Sequence, residues 1–128
     1  MAARRATRFY DQALAPSGLG IAQFGVMNAI RVHAGGTVTD IARRLDMDRT
    51  TLTRNLRPLV RAGLVTIAAG RDDRARALVL TDAGAARLNE AVPYWRAAQA
   101  RVAATLGAAE THALNSLLAL ALDRLPDV

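Results

Sequence analysis

The sequence predicts a mainly α-helical fold with a small β wing. Three observations predict it. Two short helical patterns lie on either side of a tight turn between Thr37 and Gly63. Two short strand patterns follow at once, joined by a Gly- and charge-rich connection. Longer helical patterns occupy both ends of the chain.

Met1 to Ala15 reads as a helix that starts basic and turns apolar through Phe9, Tyr10, Ala13 and Leu14. "APSGLG" interrupts it with Pro and Gly. Ile21 to His33 reads as a second helix, broken by "HAGG". In "TVTD", Thr37 and Asp40 have capping-box spacing, with Asp in place of the usual Glu or Gln. The short helix "VTDIARRL" follows, with Ile41, Ala42 and Leu45 on one side. "DM" is the turn, Asp48 is a good N-cap for the next helix, and Gly63 is its stop signal. Two short helices joined this tightly form a helix-turn-helix pattern.

The second of these helices has two faces. Leu52, Leu56, Leu59 and Val60 form an apolar stripe. Thr50, Arg54, Arg57 and Arg61 recur on roughly the opposite side. Pro58 lacks an N–H and crowds the carbonyl of Arg54, so the helix either ends there or bends.

"LVTIAA" and "RALVLT" read as two strands, and "GRDDRA" between them suits a hairpin. A hairpin directly after a helix-turn-helix is a wing. Thr81 or Asp82 then caps a long helix through "AGAARLNEAVPYWRAAQARVAATL", which Pro93 is placed to kink. Gly107 breaks the run. Ala108 to Leu125 reads as a last helix, with leucines at 114, 117, 118, 120, 122 and 125 covering more than one face.

The 128 residues suffice for one domain, and 52% hydrophobic content supports a sizeable core. The net charge is +6, and all 17 basic residues are Arg. Nine Arg and four Asp lie between Arg43 and Arg76, a balance of +5, against +2 before that stretch and −1 after it. A local excess of this kind is an electrostatic footprint for a polyanion. With no cysteine, disulfides, Cys-based zinc sites and thiol redox sensing are excluded. His33 and His112 lack ligand spacing, so no metal and no cofactor is expected. No nucleophile–base pair or phosphate loop appears, so an enzyme is not expected. No stretch resembles a signal peptide, and "LNSLLALALDRL" is too short to span a bilayer. The expected location is cytoplasmic, with no membrane partner.

"TDIARRLDMDRTTLTRNLRPLVRAGLV" followed by "GRDDRARALVLTDAG" resembles the MarR family of bacterial winged helix-turn-helix regulators. Three features carry the resemblance: the helix-turn-helix ending in R-A-G-L-V, the D-x-R wing pattern at Asp72-Asp73-Arg74, and L-T-x-A-G from Leu80 to Gly84. It implies a homodimer with interdigitating first and last helices, and effectors that bind between these parts and the winged modules. It also favours a bent, continuing helix at Pro58. The chain is then one domain, 1–128. Residues 1–20 and 82–128 form the helical dimerisation part, and 21–81 the winged helix-turn-helix DNA-binding part. Phe9, Leu14, Leu114, Leu117, Leu118 and Leu125 are the expected dimer contacts.

The two-faced helix is then a recognition helix in the major groove of double-stranded DNA. Arg bonds two guanine acceptors at once, and Thr suits thymine methyls and phosphates. Arg49, Thr50, Thr51, Thr53, Arg54, Arg57 and Arg61 are the expected contacts, with backbone N–H groups at the helix start attracting phosphate. In the wing, Arg74 and Arg76 alternate with Ala75 and Ala77. Arg74 is the expected minor-groove probe. Asp72 would hold its guanidinium by a charge-assisted hydrogen bond. The aromatic residues are expected in the core, at the dimer contact or in an effector pocket.

The function expected is sequence-specific transcriptional regulation, as a repressor, by a homodimer on a pseudo-palindromic operator, released by a small-molecule effector of unspecified identity. The alternative is a winged-helix protein–protein interaction module without specific DNA binding.

Overall fold

A computed structural model describes residues 2–68 and 76–107, with side chains from residue 4 onward. Among these residues, five helices and a two-stranded sheet follow in the order α1 (Ala2–Leu14), α2 (Ile21–Val32), α3 (Val38–Arg44), α4 (Arg49–Arg61), β1 (Val65–Ala68), β2 (Ala77–Leu80) and α5 (Asp82–Leu106). A 3₁₀ turn, Ala15–Ser17, joins α1 to α2. The last helix expected from sequence lies outside the described residues.

Each boundary has a local cause. Pro16 ends α1, and Gly18 at φ +78° closes the turn with its N–H on the Ala15 carbonyl. The buried Ser17 hydroxyl donates to the Leu14 carbonyl at 2.6 Å. At the start of α2, Gln23 accepts from the Gly20 N–H and Asp11, reaching over from α1, accepts from the Ile21 N–H at 2.8 Å. The capping box read from Thr37 and Asp40 is formed in both directions. Asp48 caps α4 by accepting from the Thr51 N–H at 2.7 Å. Gly63, at φ +75°, follows the end of α4 in the left-handed region. The helix runs through Pro58.

The core is one cluster reaching from Leu14 to Ala91. Helix α2 lies at its centre, contributing Phe24, Val26, Met27, Ala29 and Ile30 and packing on α1, α3, α4, α5 and β2. Both parts of the chain therefore share a core through α2. Helix α4 buries Leu52, Leu56 and Leu59, each worth about 1.5–3 kcal/mol when fully taken from water. Its packing partners are α2, α3 and β1.

Strands β1 and β2 pair antiparallel, with Val65 opposite Leu80 and Ala68 opposite Ala77. Val65 and Leu78 point into the core. A bridge between Thr37 and Ala77, and a hydrogen bond from the Leu78 N–H to the Gly36 carbonyl, tie β2 to the loop before α3. Nothing in the local sequence signals this tie. The tip of the wing is outside the described residues.

Thr81 joins the two parts of the chain. Its hydroxyl donates to the Gly63 carbonyl at 2.6 Å and accepts from the Gly84 N–H at 3.0 Å, capping α5. Gly84 is buried against Leu64, and a Cβ there would sit 2.0 Å from the Leu64 carbonyl oxygen. The L-T-x-A-G motif is therefore a cap and a close approach of two backbones. Helix α5 continues through Pro93 to Gly107, and Trp95 stacks on Phe24 at 5.8 Å between ring centroids. No single helix among the described residues is long and apolar enough to cross a membrane.

Two assignments are corrected. Leu14, expected at the dimer contact, is 0% exposed within its own chain, because the chain folds back over it at the 3₁₀ turn. Val60, placed on the apolar stripe of α4, is 40% exposed. It stands about 80° round the helix from Leu52, at the edge of the packed face.

Candidate nucleic-acid interface

Asp48 fixes where α4 begins, and the three buried leucines fix its rotation. The positions left outside are then determined. Arg49, Thr50, Thr53, Arg54, Arg57 and Arg61 are all exposed. Thr50, Arg54, Arg57 and Arg61 form a continuous row opposite Leu52, Leu56 and Leu59. Thr51 is half-buried on the flank, where its backbone N–H is occupied by the Asp48 cap.

The row presents guanidinium groups and hydroxyls that have no role in the core. An arginine of this kind offers a rigid fork of donors matched to two acceptors on a base edge or phosphate. Phe9, expected at the dimer contact, is half-buried on α1, edge-on to Tyr10 and under the Arg101 guanidinium. Arg76 is exposed just before β2, on the same chain segment as the wing. Asp72 and Arg74, and the leucines at 114, 117, 118 and 125, lie outside the described residues.

Asp48 and Asp40 are held ionised by the cap hydrogen bonds they accept. Asp48 has its carboxyl below the ordinary range chiefly because the Thr51 backbone N–H donates to it, then through the Thr51 hydroxyl and the nearby Arg54 charge. Asp40 is lowered in the same way by the Thr37 N–H, then by the Thr37 hydroxyl and by Arg43 and Arg44.

Three features of this region have little or no sequence signal. Asp46 occupies the turn at φ +51°, a conformation uncommon for a residue other than Gly. Asn55 points inward from α4 and donates to the Met47 sulfur at 3.7 Å. Arg43 and Arg44 are exposed at the end of α3; only the local charge excess pointed to them.

Among the described residues no group of His, Asp and Glu is set to hold a metal ion. The shallow groove lined by Arg4, Thr7, Arg8, Asp11, Gln12 and Ala15 draws on α1 and the first residue of the 3₁₀ turn after it, so it is the outer face of one helical segment rather than an enclosed cleft. Phe24 and Trp95, two of the aromatic residues considered for an effector pocket, stack on each other. Tyr10 bonds from α1 to Gln99 on α5.

Comparison with known proteins bears on this geometry. A model described as the MarR family matches residues 17–76. The M. tuberculosis transcriptional regulator MosR in complex with DNA is 41% identical, with a TM-score of 0.77, 97% of this chain and 93% of that chain being covered. The transcriptional repressor CouR bound to p-coumaroyl-CoA is 29% identical, with a TM-score of 0.85 and coverage of 96% and 86%. MarR from E. coli is 29% identical, with a TM-score of 0.75 and coverage of 93% and 90%. A search of the curated proteins finds no match. The helix-turn-helix, the paired wing strands, the flanking helices and the identity to MosR across nearly both full lengths agree: this chain is a member of the MarR family of winged helix-turn-helix transcriptional regulators.

Proposed function

We propose that the protein is a homodimeric repressor that reads a pseudo-palindromic operator and is released by a small-molecule effector. The observation that carries this reading is the orientation of α4. Its cap and its three buried leucines leave Thr50, Arg54, Arg57 and Arg61 as one exposed row. Thr50, Thr53, Arg54 and Arg57 reach base edges in the major groove, while Arg49, Thr51 and Arg61 flank them toward the phosphates. Arg43 and Arg44 extend the basic surface along α3, the helix that crosses the backbone in this type of docking. In the wing, Arg74 enters the minor groove, positioned by Asp72, with Arg76 beside it. MosR solved on DNA and CouR solved with p-coumaroyl-CoA support the two halves of the reading, operator binding and release.

The test is titration of the full chain with the DNA flanking its own gene, at several salt concentrations. The expected result is specific binding whose log affinity falls steeply and linearly with log salt, by roughly 0.9 per phosphate neutralised. Affinity that is absent, or indifferent to salt, would favour a winged-helix module that binds protein instead.

A further inference from the structure

We propose that Met47 is an oxidation site, and that its conversion to the sulfoxide by a two-electron oxidant such as hydrogen peroxide or hypochlorous acid loosens the start of α4 and weakens DNA binding. The affinity part rests on the function proposed above. The chain has no cysteine, so thioethers are its softest nucleophiles. Met27 is 0% exposed, sealed in the core on α2. Met47 is half-buried in the turn between α3 and α4. Among the described residues it is therefore the methionine an oxidant can reach.

Its surroundings make the sulfur matter. The Met47 N–H donates to the Ala42 carbonyl at 2.9 Å, which closes the turn. The side chain packs against the core, and the Sδ accepts the Asn55 Nδ2–H at 3.7 Å. Asn55 stands between Arg54, on the exposed row, and Leu56, in the core. The sulfur is thus a direct link from the turn to the second turn of the recognition helix.

The chemistry balances. A sulfur lone pair attacks one peroxide oxygen, the O–O bond breaks, an S–O bond forms and the departing hydroxide takes the proton as water. Sulfur loses two electrons and the peroxide gains them. The product carries a polar oxygen on a pyramidal sulfur where an apolar side chain met the core. The Asn55 amide occupies one side of the sulfur, so the added oxygen crowds it, and the polar sulfoxide draws water to a side chain that had packed as an apolar group; together these loosen the contact of α4 with the turn.

The experiment treats the full chain with dilute hydrogen peroxide, maps the modified residues by mass spectrometry and titrates operator DNA. One added oxygen on Met47, a loss of affinity of about tenfold and its recovery with the two methionine sulfoxide reductases are expected. Met47→Leu, which conserves volume, should bind DNA normally and ignore the oxidant, whereas Met27→Leu should respond like the parent. Unchanged affinity with Met47 fully oxidised overturns the proposal, as does oxidation of Met27 ahead of Met47. If the untreated protein binds no DNA, the regulator reading is what fails. Amide exchange in α4 then decides the Met47 proposal separately: faster exchange after oxidation supports it, and unchanged exchange refutes it.

Discussion

Arg54 and Arg74 act in different grooves of the proposed complex and should fail differently when changed to alanine. Arg54 is exposed one turn after Thr50 on α4, and in the proposed complex it is the residue assigned to a base edge. Loss of a bidentate base contact costs roughly 1–3 kcal/mol and relaxes choice at that base. Arg74 is proposed to meet the degenerate pattern of the minor groove, so Arg74→Ala should weaken most sequences and make the salt dependence shallower. Asp72→Ala should behave as a mild Arg74→Ala. Titrations against single-base operator variants at two salt concentrations separate the outcomes. Equal weakening of every variant by Arg54→Ala would make Arg54 a phosphate clamp, and tighter binding by Asp72→Ala would make the aspartate a plain repulsive charge. Residues whose role depends on near neighbours were legible in the sequence. Thr37, Asp48 and Thr81 are N-caps because a short acceptor faces an N–H three residues on, and Asp40 closes the capping box by accepting from the Thr37 N–H three residues back. Leu14 and Val60 depart from the sequence expectation because their exposure depends on how distant segments pack.

Helices α3 and α4 each carry an acidic residue in a cap hydrogen bond at their start. Asp48 and Asp40 are lowered below their ordinary value of 3.8 by cap hydrogen bonds in the folded chain. A depressed folded pKa contributes stability that is fully present above the unfolded value and is lost as pH falls through the folded one. Thermal unfolding followed from neutral pH into acid should therefore show a loss that begins near pH 4 and deepens below it. Asp48→Asn keeps an N-cap acceptor but removes the titration, so it should flatten part of that acid loss; an unaltered pH profile would deny the Asp48 cap its share. Gly84 shows an element boundary with the opposite sign from propensity. In an exposed helix, Gly→Ala gains about 1 kcal/mol. At position 84 the new Cβ would meet the Leu64 carbonyl oxygen at 2.0 Å, so the wing end and α5 must separate. Gly84→Ala should cost roughly 1–3 kcal/mol, read as a lower urea midpoint with an unchanged slope. A gain in stability would show that α5 yields freely at this point. The motif was visible in the sequence, but its reason is a contact twenty residues away in the chain.

Across the whole molecule, the order of elements was legible because each boundary carries Pro, Gly or a cap. The central place of α2 and the bond from the Leu78 N–H of β2 to the Gly36 carbonyl were not, since both join segments without a shared local pattern. The dimer belongs to this scale. Leu14 fills its own chain's core, which leaves the expected apolar contacts to Phe9 on α1 and to the leucines at 114, 117, 118 and 125. Those leucines recur on more than one face of the C-terminal pattern, more apolar surface than a single chain of this size readily covers. A dimer with two α4 rows would read half-sites about 10 bp apart, one turn of DNA. Light scattering at micromolar concentration should therefore give a dimer, and Leu117→Asp with Leu118→Asp should shift it toward monomer. The same double change should lower operator affinity while leaving the far-ultraviolet circular dichroism of the winged part in place. Spacing supplies an independent check. Inserting about five base pairs between half-sites turns one of them to the far side of the duplex, so a rigid dimer loses one set of contacts. A monomer that binds the intact and the respaced operator equally well would remove the dimer from the mechanism.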